Sequence, residues 1–80
     1  MTNKERVFTT IKSYKDTFYN EIVFAEDTEN IVTVWDSNED RRTLFIHTGL
    51  IYLLQQLDVS MYLINDVYLG DRIVLMVTIK

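Results

Sequence analysis

Met61-Tyr62-Leu63-Ile64-Asn65-Asp66-Val67-Tyr68-Leu69-Gly70-Asp71-Arg72-Ile73-Val74-Leu75-Met76-Val77-Thr78-Ile79 is the stretch whose reading decides the fold. Two apolar runs, 61–69 and 72–79, flank Gly70-Asp71. A Gly at the first central position of a two-residue turn suits type II′ geometry, in which φ is positive. The stretch therefore reads as an antiparallel hairpin. Ile73 to Val77 shows no polar alternation, so that strand is expected to be covered on both faces.

Upstream of the hairpin, Thr48 is placed to cap a short helix reaching Leu57, with Leu50, Ile51, Leu53, Leu54 and Leu57 on its apolar side. Those five residues cover more than a narrow stripe, which predicts packing on two sides. Ile31-Val32-Thr33-Val34-Trp35 is dense in β-branched and aromatic residues and reads as a strand. A first strand is expected near residues 20–25. The polar cluster Asp36 to Asp40 is expected to turn the chain into a third strand, Arg42 to Ile46. At the N-terminus, Thr2-Asn3-Lys4-Glu5 reads as a capping box. Behind it Val7, Phe8, Ile11, Tyr14 and Phe18 recur at helical spacing, predicting a helix from about residue 3 to about residue 16. The expected architecture is α+β, in the order α-β-β-β-α-β-β: an antiparallel sheet with two helices packed on it, as a single compact domain over residues 1–80.

Composition narrows the function classes. The chain lacks cysteine, so neither a disulfide framework nor a thiolate metal site can staple the fold. At 80 residues and 48% hydrophobic content, stability must come from apolar burial. Surplus apolar surface would then be covered most simply by a homodimer. No apolar run follows the basic start and none approaches the roughly 20 residues of a membrane helix. The expectation is a cytoplasmic protein with no membrane contact.

Charge is unevenly placed. Residues 16–40 hold eight carboxylates and no base: Asp16, Glu21, Glu26, Asp27, Glu29, Asp36, Glu39 and Asp40. Residues 1–15 hold Lys4, Arg6, Lys12 and Lys15 against Glu5 alone, and residues 41–80 hold four bases against three acids. The net charge of -4 therefore originates in one block. Such a face steers basic partners and repels nucleic acid, so direct DNA or RNA binding is not expected. The basic side chains of the first helix are expected to face solvent or to pair with the acidic turns.

Catalytic and metal templates fail. Asp36-Ser37-Asn38-Glu39-Asp40 opens like a calcium loop, but Arg41 and His47 occupy positions that need Gly and a bidentate Glu. The plain reading is a turn. His47 is the only histidine; with Asp36, Asp40 or Arg42 in one concave pocket it could serve as a general base. No serine lies in a Gly-flanked elbow, no phosphate-cradling glycine run occurs, and one His cannot define a zinc site. No catalytic residue, metal or cofactor is assigned.

The reading that remains is a non-enzymatic binding protein presenting an acidic face to a basic protein partner. Glu21, Glu26, Asp27, Glu29, Trp35, Asp36, Glu39 and Asp40 are its expected contact residues. Same-face strand residues recur every ~7 Å, a spacing comparable to phosphates along one nucleic-acid strand. The concrete form is a small inhibitor of a nucleic-acid-handling protein, of the kind phages and mobile elements encode. Trp35, beside Asp36, is either a core residue or the anchor of that contact. The alternatives are a self-associating structural or regulatory subunit, and a small ligand-binding domain or enzyme using His47.

Overall fold

The computed structural model describes residues 1–80. The first helix, α1, spans Asn3–Thr17 and starts in the expected capping box. Thr2 Oγ1 accepts from the Glu5 N–H at 3.1 Å, and the Glu5 carboxylate accepts from the Thr2 N–H at 3.2 Å. The Thr2 hydrogen bonds hold the Glu5 carboxyl below its ordinary value, so its share of the cap is present at neutral pH and fades as pH falls through that lowered value. Thr2→Ala should lower stability by about 1 kcal/mol, read as a shift in the urea midpoint. No shift would mean that the first turn is frayed in the intact protein.

Four strands follow: β1 (Ile22–Thr28), β2 (Ile31–Asp36), β3 (Val59–Asp66) and β4 (Arg72–Ile79), with α2 (Thr48–Gln55) between β2 and β3. They form one antiparallel sheet in the order β1-β2-β4-β3. Both helices cover the same face. Val7 and Ile11 of α1 and Leu50 and Leu54 of α2 pack on Ile22, Val32, Val34, Leu75, Val77 and Ile79 of the sheet. The α+β class, the two helices and the antiparallel sheet are as the sequence predicts. No helix is long and apolar enough to cross a membrane.

The expected third strand, Arg42–Ile46, does not form, and the order is α-β-β-α-β-β. The physical reason is competition for the free side of β2. β4 is the most apolar strand and buries Val74, Leu75, Met76 and Val77 by taking the central position next to β2. Residues 42–46 cannot match that burial. They cross over instead, after a 3-10 turn at Glu39–Arg41 that Asn38 caps by accepting from the Asp40 N–H at 2.9 Å.

Smaller differences have local causes. β1 runs to Thr28, three residues beyond the expected end, because its ladder with β2 continues through a register shift between Glu26 and Thr28. The C-terminal hairpin forms, but not on a two-residue turn. The register closes at Asp66↔Arg72, and a 3-10 turn at Val67–Leu69 fills the connection. Gly70 and Asp71 both take positive φ, 76° and 61°, a pair found in type I′ rather than II′ turns. α2 begins after His47, and its first residue is Thr48, so Thr48 does not cap it. Leu50 and Leu54 pack between α1 and the sheet, whereas Leu53 and Tyr52 face solvent at 40% and 64% exposure.

Candidate functional site

The helix-free face of the sheet holds a depression lined by both apolar and acidic side chains. Side chains alternate along a strand, so the buried Val32 and Val34 face the helices while Ile31, Thr33 and Trp35 face the other way. On that face Val23 lies opposite Trp35, and Val74 and Met76 of β4 lie opposite Ile64 and Tyr62 of β3. No second layer covers this side. Val74 is nonetheless fully buried and Met76 nearly so, shielded by the large side chains around them.

Those side chains enclose a depression of about 320 Å³ whose floor is Trp35, Ile64 and Met76 and whose rim carries Asp27, Asp66 and Tyr68. Each rim residue is placed by a local irregularity. Asp27 is the extra residue of the bulge in β1, and bulges re-aim side chains. Asp66 accepts from the Tyr68 N–H at 2.9 Å, opening the 3-10 turn that leaves Tyr68 97% exposed. The positive-φ pair Gly70-Asp71 then returns the chain to β4. Two carboxylates beside a Trp and a Tyr in a concave apolar site are the groups with which proteins can hold a cationic side chain.

The second polar constellation is interior. His47 Nε2 and the Asp36 carboxylate are 3.0 Å apart, and both residues are buried. Asp36 also accepts from the Asn38 N–H at 2.9 Å, and Tyr14 Oη lies 3.2 Å from His47 Nδ1. The Tyr19, Tyr14 and Phe45 rings surround the imidazole at centroid distances of 4.5, 5.8 and 5.4 Å. Burial, reinforced by the Asp36 charge and then by Tyr19, raises the Tyr14 phenol above its ordinary value. Arg72 donates to the Asp36 carbonyl at 2.8 Å and pairs with Glu39. This network is satisfied and closed. None of the four cavities is lined by His47, which is itself buried. The pocket required by the His47 reading is not formed.

The acidic block is divided by the hairpin that carries it. Glu26, Asp27 and Glu29 lie at the β1–β2 turn, whereas Glu21, Glu39 and Asp40 lie beyond the other end. At ~3.4 Å per residue the length of β1 separates the two groups by roughly 20 Å. Asp36, an expected contact residue, is 2% exposed and committed to His47; a carboxylate at the end of a strand facing the helices is drawn into the core once a buried partner reaches it. Glu26 pairs with Lys4, Glu39 with Arg42 and Arg72, and Asp16 with Lys12. Glu21, Asp27, Glu29 and Asp40 make no ion pair and are exposed. Of the expected contact residues, the structure brings Asp27 and Trp35 together in one cavity.

Ile64, Asp66, Tyr68 and Met76 were not among the expected contacts. The spacing of Ile64 and Asp66 puts them on one strand face, but only the β2–β4 pairing carries them to Trp35, and the 3-10 turn adds Tyr68. Comparison with protein-family models, curated proteins and solved structures returned no match.

Proposed function

We propose that this chain is a small, non-enzymatic protein-binding domain whose helix-free sheet face receives a basic side chain of a protein partner. One observation carries the reading: the depression between Trp35 and Tyr68 combines an apolar aromatic floor with the carboxylates of Asp27 and Asp66. A lysine or arginine entering it would lay its aliphatic stem on Trp35 and Met76 and bring its charge to the rim. The unpaired Glu29 and Glu21 extend the attraction along the hairpin. A protein that handles nucleic acid presents such side chains in a row, and occupying them blocks its natural ligand. The domain would act as that kind of inhibitor in the cytoplasm, where a cysteine-free fold loses nothing to the reducing environment.

The test is an NMR titration of the full chain with a short arginine-rich peptide, at low and high salt. The expected result is a saturable shift of the Trp35 indole and Tyr68 ring signals that weakens with salt. Trp35→Ala should weaken binding by ~30-fold, the effect of a ~2 kcal/mol anchor. Asp27→Lys should weaken it further at low salt than at high salt. Shifts spread evenly over all exposed carboxylates, with Trp35 silent, would sink the reading.

A further inference from the structure

The sheet ends in two edge strands, β1 and β3, and an edge offers its unpaired N–H and C=O groups to any chain that fits. The two edges are finished differently. β1 is blunted by its register shift and by Glu26, which pairs with Lys4 at that edge. β3 has neither device. It pairs with β4 without interruption from Val59↔Ile79 to Asp66↔Arg72. It contains no proline, and its one charged residue is Asp66 at the end.

Ladder parity shows which groups of β3 are free. The Lys80 N–H donates to the Asp58 carbonyl, so Ser60, Tyr62, Ile64 and Asp66 bond to β4. The main-chain groups of Met61, Leu63 and Asn65 therefore point outward. Tyr62 and Leu63, in the middle of this edge, are 52% and 49% exposed. Leu63, Met61 and Ile51 also line an apolar cleft of about 300 Å³ between α2 and the edge.

We infer that β3 pairs antiparallel with β3 of a second copy of this chain, with Leu63 facing Leu63 across the two-fold axis. Outward-facing groups sit on odd-numbered residues, so a two-fold pairing must set odd residues opposite odd ones. Centring it on Leu63 places Tyr62 opposite Ile64 on the helix-free face, an aromatic-to-β-branched pair. Ser60 then faces Asp66, a hydroxyl beside a carboxylate. Centring it on Tyr62 instead would set Asp58 against Asp66, two like charges. The Leu63-centred register thus avoids the like-charge pair that the Tyr62-centred one creates.

Charge placement does not oppose a second copy. Each chain carries -4, but Asp27 and Glu29 at the β1–β2 turn, and Glu21 just before β1, lie at the opposite side of the sheet. Joining two β3 edges makes a sheet with the β1 strands at its outer ends. At ~4.8 Å per strand those ends are roughly 34 Å apart, well beyond the ~8 Å screening length at physiological salt. This pairing does not require that the Trp35 depression bind a partner, although Ile64 and Asp66 of β3 belong to both.

The test uses the full chain in sedimentation equilibrium and in hydrogen exchange. The wild type should show twice its 9.5 kDa mass, returning to the single mass on dilution. Leu63→Lys and Leu63→Glu should each be monomeric, and their equimolar mixture should regain the double mass because residue 63 faces itself. In the wild type, the Met61, Leu63 and Asn65 amides should exchange more slowly as concentration rises, while the Phe24 amide of β1 does not respond. A single mass from micromolar to millimolar concentration would overturn the inference. So would folded variants that stay dimeric alone or fail to associate when mixed. Should either variant fail to fold, the wild-type exchange decides: unprotected amides at those three residues overturn it.

Discussion

Replacing His47 by Ala should cost about 3–5 kcal/mol of folding stability, the range for removing one member of a buried pair. The Asp36 carboxylate would keep only the Asn38 N–H, in a site where its residue is 2% exposed and lines none of the four cavities. The loss should appear as a lower urea midpoint with the slope unchanged. Replacing both residues by Leu removes the stranded polar group along with its partner and should cost less than His47→Ala alone. A single substitution costing under about 1 kcal/mol would show that the pair does not hold the crossover to β2. The consequence for mapping the surface is direct. Changing Asp36 to Lys would unfold the protein without testing any partner contact, whereas Asp27, Glu29 and Asp40 are free to be reversed.

Leu54→Ala should cost about 2–5 kcal/mol, the range for a buried leucine truncated in a core that cannot fully collapse. α2 is eight residues long and lacks a side-chain cap, so propensity alone would not keep it helical. Leu50 and Leu54, both fully buried against α1 and the sheet, hold it in place. The exposed Leu53, one position earlier, provides the control: Leu53→Ala should change stability by about 0.5 kcal/mol or less. Thermal melts of the two variants distinguish them, and equal losses would show that Leu53 is packed as tightly as Leu54.

The acidic block illustrates how far charge patterning reads. Its position in the chain was legible, and so was its proximity to Trp35. Its division into two groups was not, because the division follows from the reversal of the chain at Glu29-Asn30. Nor could patterning show that Asp36, Glu26 and Glu39 would find cationic or imidazole partners from α1, the crossover and β4. Arg72 lies 33 residues beyond Glu39 in the chain and meets it only because β4 inserts beside β2. The candidate receptor was half visible for the same reason. Asp27 and Trp35 belong to one hairpin, while Asp66 and Tyr68 arrive from another.

By itself the sequence determined the local elements: the capping box at Thr2 and Glu5, the helical face of Val7 and Ile11, the β-branched run Ile31–Trp35 and the buried character of Ile73–Val77. Each depends on neighbours within a turn or a strand, where periodicity and capping chemistry act. Only the tertiary structure decided that residues 42–46 would not form a strand, that His47 would be sealed against Asp36, and that Trp35 would face away from the helices. Those outcomes turn on which strand occupies the slot beside β2. That choice is made by total apolar burial across the sheet, in which β4 outweighs every local preference of the crossover.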